Sequence, residues 1–499
     1  MLYQSTRGSG VKVSAAEAIV RGLSEDGGLF VPEAFPLLSG EMITYLATKP
    51  YKDRAAYVMG LFLEDFKAEE LSEYANEAYS EPGFDHPEIA PLHELDGNTQ
   101  LIELWHGPTC AFKDMALQML PRLLTASLGK TGETRCVCIL VATSGDTGKA
   151  ALEGFQDIPG TRIMVFYPQD GVSGVQKLQM TTQRGGNVNV VAVRGNFDDA
   201  QNGVKAIFSD RETRSELDRQ GIFLSSANSI NWGRLVPQIA YYVSAYCDLL
   251  AHGRITAGDK INFCVPTGNF GNILAAYYAE RIGLPINRLI CASNRNDVLT
   301  QFIKTGIYDK NRPFYTTVSP SMDILVSSNL ERLLFELSDK DGAVLSLYMS
   351  QLNKIGRYEI PSSVRGELSR LFAGGWCSEE ETMGTIASVF NDHGYLIDTH
   401  TAVAYKVLAD YRQETEDETP TVVVSTASPF KFCESVMKAL GQPGKSDGAE
   451  LTDALSQLSG CAVPAPLLDL AGRPQRFLSS VEPDGMRNAV MRFLSIDNR

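Results

Sequence analysis

Apolar residues change their spacing along the chain, and the changes mark its organisation. Up to about residue 95 short apolar runs alternate with helical stripes. Gly27-Gly28-Leu29-Phe30-Val31-Pro32 reads as a turn into a short strand. The run 40–79 reads as helical, with Ala55-Ala56-Tyr57-Val58-Met59 as its apolar stripe. From Thr134 the pattern changes to that of buried strands. Residues 135–142 form a continuous apolar run, as in a strand covered on both faces. A turn and a helix over 149–156 follow. Strands at 163–167 and 188–193 alternate with helices at 172–183 and 198–209, the last opened by an acidic cap. The alternation continues with strands at 223–227, 260–265, 289–292 and 421–425, and helices at 232–251, 273–282 and 430–440. Such alternation predicts parallel βαβ units. Residues 297–394 read as helical with no clear strand, an insertion. Gly441 to Glu450 is the most linker-like stretch.

The expected fold class is α/β, with two open parallel sheets. An N-terminal α+β domain covers 1–95. A large domain covers 96–133 and 211–499, with its helical insertion at about 297–394. Residues 134–210 form a small, mobile α/β domain. A site is then expected in the cleft between the sheets, at the C-terminal ends of their strands.

Composition narrows the classes of function. With 499 residues, 44% hydrophobic and 21% charged, the chain has room for two or three globular domains. A formal net charge of −15 disfavours nucleic acid and anionic membrane as partners. The 9 cysteines lack paired spacing and the 6 histidines lack ligand spacing, so reduced thiols and no metal site are expected. No apolar run is long enough to cross a membrane, and the first residues have no apolar signal core. A cytoplasmic protein is expected, as a monomer or homodimer, and the charge does not exclude an anionic small substrate.

Five stretches carry chemistry. His106-Gly107-Pro108-Thr109-Cys110-Ala111-Phe112-Lys113-Asp114 is a turn running into a helix. Lys113 stands beside an apolar ring at a helix start, where desolvation and the helix dipole both lower an amine's proton affinity, or is simply a solvated lysine at a helix N-terminus. Thr267-Gly268-Asn269-Phe270-Gly271-Asn272 joins a strand to a helix. Its glycines and free N–H groups suit a phosphate, although an ordinary tight turn reads the same way. Ser144-Gly145-Asp146-Thr147-Gly148 offers hydroxyls and N–H groups to a carboxylate, or is simply a capped helix start. Ser425-Thr426-Ala427-Ser428-Pro429 ends a strand with hydroxyls that can meet a ring nitrogen. Asn228-Ser229-Ile230-Asn231-Trp232-Gly233-Arg234 opens a helix with a guanidinium fork that suits a phosphate monoester, or is a solvated arginine.

Together these stretches resemble threonine synthase, a pyridoxal-phosphate enzyme of fold-type II. Thr-Cys-Ala-Phe-Lys-Asp resembles that family's lysine segment, and Gly-Asn-Phe-Gly-Asn its phosphate cup. Ser5-Thr6-Arg7-Gly8, Asp26-Gly27-Gly28-Leu29, Ser321-Met322-Asp323-Ile324 and Ser327-Ser328-Asn329-Leu330-Glu331-Arg332 are similar to the family as well. Cys110 departs from it, standing where a more apolar residue is expected. The resemblance implies pyridoxal 5'-phosphate as cofactor and O-phospho-L-homoserine as substrate, with threonine and phosphate as products. It implies Lys113 as the Schiff-base lysine and catalytic base. Gly268, Asn269, Phe270, Gly271 and Asn272 would hold the cofactor phosphate, and Thr426 its ring nitrogen. Ser144, Gly145, Asp146 and Thr147 would hold the substrate carboxylate, and Asn231 with Arg234 the substrate phosphate. Asp146 replaces the wider fold type's Asn, and either caps its own helix or lies near the cofactor. Two rivals stay open: another fold-type II lyase resembling threonine dehydratase, and a non-catalytic relative that binds phosphorylated amino acids.

Overall fold

The continuous apolar run at 135–142 forms the strand Cys136–Ala142, buried at every residue after the first. In the computed structural model, which describes residues 1–442, 450–468 and 470–495, this strand lies in a five-stranded sheet. Its order is Ser480–Val481, Val188–Val193, Thr161–Pro168, Cys136–Ala142, Ile222–Ser225, and every pair is parallel. The larger sheet has the order Phe372–Trp376, Ile286–Ser293, Ile261–Pro266, Thr421–Ser425, Thr99–Glu103, Leu92–Asp96. Only its last pair is antiparallel. The N-terminal part adds a small antiparallel sheet of Lys12–Val13, Tyr3–Ser5 and Phe30–Pro32.

Strand assignment to sheets corrects the sequence-based boundaries. Ile222–Ser225 pairs with Cys136–Ala142, so the small unit extends past residue 210. Ser480–Val481 and the helix Met486–Ser495 also return to it from the far end of the chain. Leu92–Asp96, counted with the N-terminal domain, hairpins onto Thr99–Glu103 in the larger sheet. The stretch 297–394 is not strand-free. Ile307–Asp309 pairs with Arg357–Glu359, and Phe372–Trp376 forms an edge of the larger sheet. That edge strand is hard to read because it carries Gly374 and Gly375. A Cβ at Gly374 would lie 3.2 Å from the Thr300 backbone, and one at Gly375 would lie 2.5 Å from the Val407 side chain. Close packing of helices, rather than strand propensity, chose these residues.

Two local readings also change. The helix Phe197–Ser209 has Asn196 as its N-cap, and the acidic Asp199 closes the capping box by accepting from the Asn196 N–H at 2.9 Å. The predicted helix 430–440 divides into a 3-10 turn, Pro429–Phe432, and the helix Cys433–Ala439. The linker-like stretch after Gln442 lies largely outside the described residues.

The sheets share one core. Val137, Ile139 and Val141 face the same apolar cluster as Phe263, Val424 and the long helix Trp232–Ala251. Cys138 and Leu140, on the opposite face, pack with the helices Phe197–Ser209 and Met486–Ser495. The period of two along one strand therefore splits two cores. Trp232–Ala251 is buried on nearly all sides, and packs between Tyr51–Phe62 and Gly271–Arg281. Among the described residues no helix is long and apolar enough to cross a membrane.

Candidate active site

The lysine loop is fixed from both sides. Asp114 accepts from the Thr109 backbone N–H at 2.8 Å and from its hydroxyl at 2.7 Å. Burial raises Asp114 to about 6, with Thr109's bonds opposing. Gly107 passes so close to Asp114 that an added Cβ would stand 2.6 Å from it, and Cys110 takes a left-handed φ of 59°. The loop is then joined to the end of the strand Thr421–Ser425. Phe112 N–H donates to Thr426 O at 2.8 Å, and Ser428 N–H to Cys110 O at 3.0 Å. These bonds bring Lys113 and Thr426 together. Lys113 is buried, with Nζ 4.8 Å from the Phe112 ring centre.

Lys113 Nζ donates to Asp146 Oδ2 at 3.3 Å and to Ser321 Oγ at 3.1 Å. Asp146 Oδ1 accepts from Gln176 Nε2 at 2.8 Å and lies 3.0 Å from Lys431 Nζ. Both oxygens are thus taken, and Asp146 makes no cap on its own helix, Asp146–Phe155. The turn is closed instead by Thr143, whose Oγ1 accepts from Gly145 N–H at 3.0 Å and Gly148 N–H at 2.8 Å. Gly145, at φ 133°, leaves room for Gln176; a Cβ would meet that side chain at 2.5 Å.

The charges decide the chemistry. Burial lowers the proton affinity of Lys113. Arg234 and Lys431 lower it further, while Asp146 opposes them. Burial alone would raise Asp146, but Lys431 and Lys113 outweigh it and hold the carboxyl well below the usual range. Arg234 is buried and its guanidinium is pulled down to about 10 by desolvation, still charged at neutral pH. It makes no ion pair with a carboxylate among the described residues. Its Nη1 donates to Ala227 O at 2.7 Å, and Nη2 lies 3.5 Å from Thr147 Oγ1. Lys113 and Lys431 flank Asp146, and Arg234 stands close enough to act on Lys113, a positive surplus that suits an anionic ligand.

The glycine-rich loop between Ile261–Pro266 and Gly271–Arg281 is held open by the insertion. Ser327 Oγ donates to Gly268 O at 2.8 Å, and Asn329 donates to Asn269 O from N at 3.2 Å and Nδ2 at 3.0 Å. With these carbonyls tied back, the first-turn N–H groups of the helix are left for a ligand. A Cβ at Gly268 would stand 2.4 Å from Ser321 O, so only glycine fits there. Phe270 adopts a left-handed φ of 63°, a strained conformation for an aromatic residue. Asn272 Nδ2 is buried and has no partner among the described residues. Ser144 is half-buried at the start of the opposite loop, and Thr147 faces Arg234.

One expected site residue has other work. Asn231 Oδ1 caps Trp232–Ala251 by accepting from Gly233 N–H at 2.9 Å. Its Nδ2 donates to Ile19 O at 3.0 Å and Ser226 O at 3.3 Å. Both amide donors are spent, so Asn231 positions the helix that carries Arg234 and does not offer a donor to a substrate. Sequence reasoning missed Lys431, Gln176 and Thr143. Lys431 Nζ also donates to Thr109 O at 2.7 Å and Gln179 Oε1 at 3.0 Å, which no local pattern signals. Ser321 lay within a stretch similar to the family but carried no assigned role. Its N–H donates to His400 Nε2 at 3.2 Å, and His400 Nδ1 lies 2.7 Å from Asp398 Oδ2. Among the described residues no cluster of His, Cys, Asp and Glu could hold a metal, and all nine cysteines are free.

Three family descriptions match the chain: Threonine synthase N terminus over residues 2–79, Pyridoxal-phosphate dependent enzyme over 89–347, and Threonine synthase, C-terminal over 401–487. The chain is 44% identical to human Threonine synthase-like 1 over 443 residues, covering 86% of this chain but only 58% of that protein. It is 41% identical to the threonine synthase of Pseudomonas aeruginosa over 465 residues, covering 93% of this chain and 95% of the relative. A crystal structure of pyridoxal-phosphate-bound threonine synthase from Brucella melitensis superposes with a TM-score of 0.87 at 38% identity, covering 99% of each chain.

Proposed function

Because the chain belongs to the threonine synthase family of pyridoxal-phosphate-dependent enzymes, we propose that it converts O-phospho-L-homoserine and water to L-threonine and phosphate. The observation that carries this reading is Arg234, a buried cation without a carboxylate partner among the described residues, beside the Lys113–Asp146 pair.

The residues present fit pyridoxal phosphate. The unpartnered Asn272 Nδ2, the free first-turn N–H groups and the close glycine at Gly268 make a cradle for its phosphate. Lys113 would hold its aldehyde carbon, and the Thr426 hydroxyl its ring nitrogen. When bound, the cofactor supplies an electron sink for the carbanion at the substrate's Cα.

The chain's own groups do the rest. Lys113 Nζ, its proton affinity lowered by burial and by two neighbouring cations, takes the Cα proton and returns protons to carbon. Asp146 and Ser321 hold that amine in place between transfers. Arg234 binds the departing phosphate, and the hydroxyls and N–H groups of Ser144 and Thr147 bind the α-carboxylate. Asp146 and Thr147 belong to the small-sheet side, while Lys113, Thr426 and Gly268 belong to the larger one. We propose that the small unit closes on the substrate, which would exclude bulk water before the phosphate leaves.

Turnover of O-phospho-L-homoserine by the purified, cofactor-loaded chain is the test, with release of threonine and phosphate in equal amounts. Lys113→Ala should lose turnover and the visible absorbance of the bound cofactor while the chain still folds, Lys431 and Gln176 remaining as partners of Asp146. Retained absorbance and turnover would place the anchor at another lysine. Binding of the substrate without turnover by the parent would favour the non-catalytic reading.

A further inference from the structure

The helix Trp232–Ala251 carries Arg234 in its first turn and, further along, a polar face sealed inside the core. Gln238, Tyr241 and Tyr242 make up that face, and all three are buried. A buried hydroxyl needs an acceptor for its proton. The Tyr242 hydroxyl donates to Asn272 Oδ1 at 2.6 Å. The Tyr241 hydroxyl reaches the same oxygen, and lies 3.2 Å from Gln238 Oε1. Gln238 Nε2 in turn donates to Arg234 O at 2.9 Å. The rings cannot swing aside. Tyr241 and Tyr242 pack with centroids 4.7 Å apart, and Tyr242 stands edge-on to Phe263 at 4.8 Å. Burial raises both phenols well above their ordinary values, so each stays a proton donor throughout the working pH range.

These contacts set the Asn272 amide oxygen toward the phenols. Its oxygen takes the phenol protons. In the reversed orientation the amide NH2 would donate to the phenol oxygens and the Tyr242 proton would lose Oδ1 as its acceptor, so the direction of the amide is tied to the direction of the phenol protons. The observed orientation instead leaves Nδ2 as the free end. Nδ2 is buried without a partner, at the second residue of the helix Gly271–Arg281, beside the Gly268–Gly271 loop. An unsatisfied buried donor is costly, and so its presence beside an anion cradle calls for an acceptor there.

We propose that Asn272 Nδ2 is reserved for the cofactor's phosphate group, and that Tyr242 is a positioning residue that holds the amide in that orientation, with Tyr241 supporting it. This rests on the reading of the Gly268–Asn272 loop as the cofactor's phosphate cradle. It joins both anion sites to one element, because the same helix presents Arg234.

The test compares two probes on the purified full chain: pyridoxal phosphate, and pyridoxal, which lacks the phosphate. Affinities are read from cofactor absorbance and fluorescence quenching, alongside the thermal midpoint. Tyr242→Phe removes one oxygen and keeps the ring. It should weaken pyridoxal phosphate about tenfold, the size of one neutral hydrogen bond lost in a buried site, and leave pyridoxal unchanged. Asn272→Ala should do the same or more, and adding Tyr242→Phe to it should cost nothing further, since the tyrosine acts only through the amide. If Tyr242→Phe does not fold, the Asn272→Ala comparison still decides the assignment of Nδ2. Equal losses for the two probes, or independent losses in the double variant, would overturn the inference and leave the tyrosines as core packing. A parent chain that binds pyridoxal as tightly as pyridoxal phosphate would instead sink the reading of the whole loop. A strong phosphate preference that survives Asn272→Ala sinks only the role given to Asn272 and Tyr242.

Discussion

Replacing Arg234 by methionine tests the substrate site most sharply, because the structure separates its effect on binding from its effect on stability. Removing one member of a buried ion pair usually strands a charge and costs about 3–5 kcal/mol. Arg54 is such a case, with Asp248 at 2.5 Å. Among the described residues Arg234 has no carboxylate to strand. Its loss removes the 2.7 Å bond to Ala227 O, worth about 1–2 kcal/mol, and relieves a buried charge. Methionine has a similar length and is apolar. The chain should therefore keep its fold, with stability changed by no more than about 2 kcal/mol. Binding is another matter. A guanidinium fork gives a phosphate two charge-assisted bonds of about 1.5–3 kcal/mol each. Their loss predicts roughly 10²–10⁴-fold weaker binding of O-phospho-L-homoserine. The assay is titration calorimetry with cofactor-loaded chain, using homoserine without its phosphate as the second ligand. Phosphohomoserine should lose its advantage, while homoserine and cofactor bind as before. Equal losses for both amino acids, or loss of the cofactor with substrate binding unchanged, would show that Arg234 serves the fold or the cofactor instead.

Three further outcomes follow from the same geometry. Asp146→Asn removes the anion 3.3 Å from Lys113 Nζ, which now raises that amine's proton affinity, so the proton should leave Lys113 at lower pH. Site-resolved acylation of Lys113 against pH in the cofactor-free chain reads this directly, and superimposable parent and variant profiles would deny Asp146 an electrostatic role. His106 is a separate pH element. Burial lowers it, but Asp85 and Glu103, each 2.7 Å away, outweigh burial and raise it to about 9. A folded value above the unfolded one of about 6.5 stabilises the chain fully at lower pH, and the contribution fades as pH rises through about 9. Denaturant midpoints should fall over that window in the parent and stay flatter in His106→Gln; parallel curves would exclude the triad as their source. For closure of the small unit, amide exchange in Cys136–Ala142 and Gly174–Thr181 should slow when a substrate analogue binds, and unchanged protection would count against it.

Local structure was legible in the residue pattern wherever the physics is local. The strands Val188–Val193 and Thr421–Ser425 and the helix Trp232–Ala251 end where their apolar spacing ends. The loops at Lys113, Gly145 and Gly268 showed themselves through glycine and proline, since backbone geometry there depends on the residue itself. Sheet membership was not legible. Ile222–Ser225 is apolar enough to be a strand and Ser480–Val481 is too short to read as one, and neither carries a record of the edge it joins. The same limit governs the site. Asn231 opens a helix beside Arg234, and only its contacts with Ile19 and Ser226 reveal that its amide donors are already used. Asp146 was open to two readings until Lys113, Gln176 and Lys431 arrived from three separate segments to occupy its oxygens. Periodicity records which face of an element is buried. Which groups meet there, and how they shift one another's protons, depends on distances through space that only the packed chain sets.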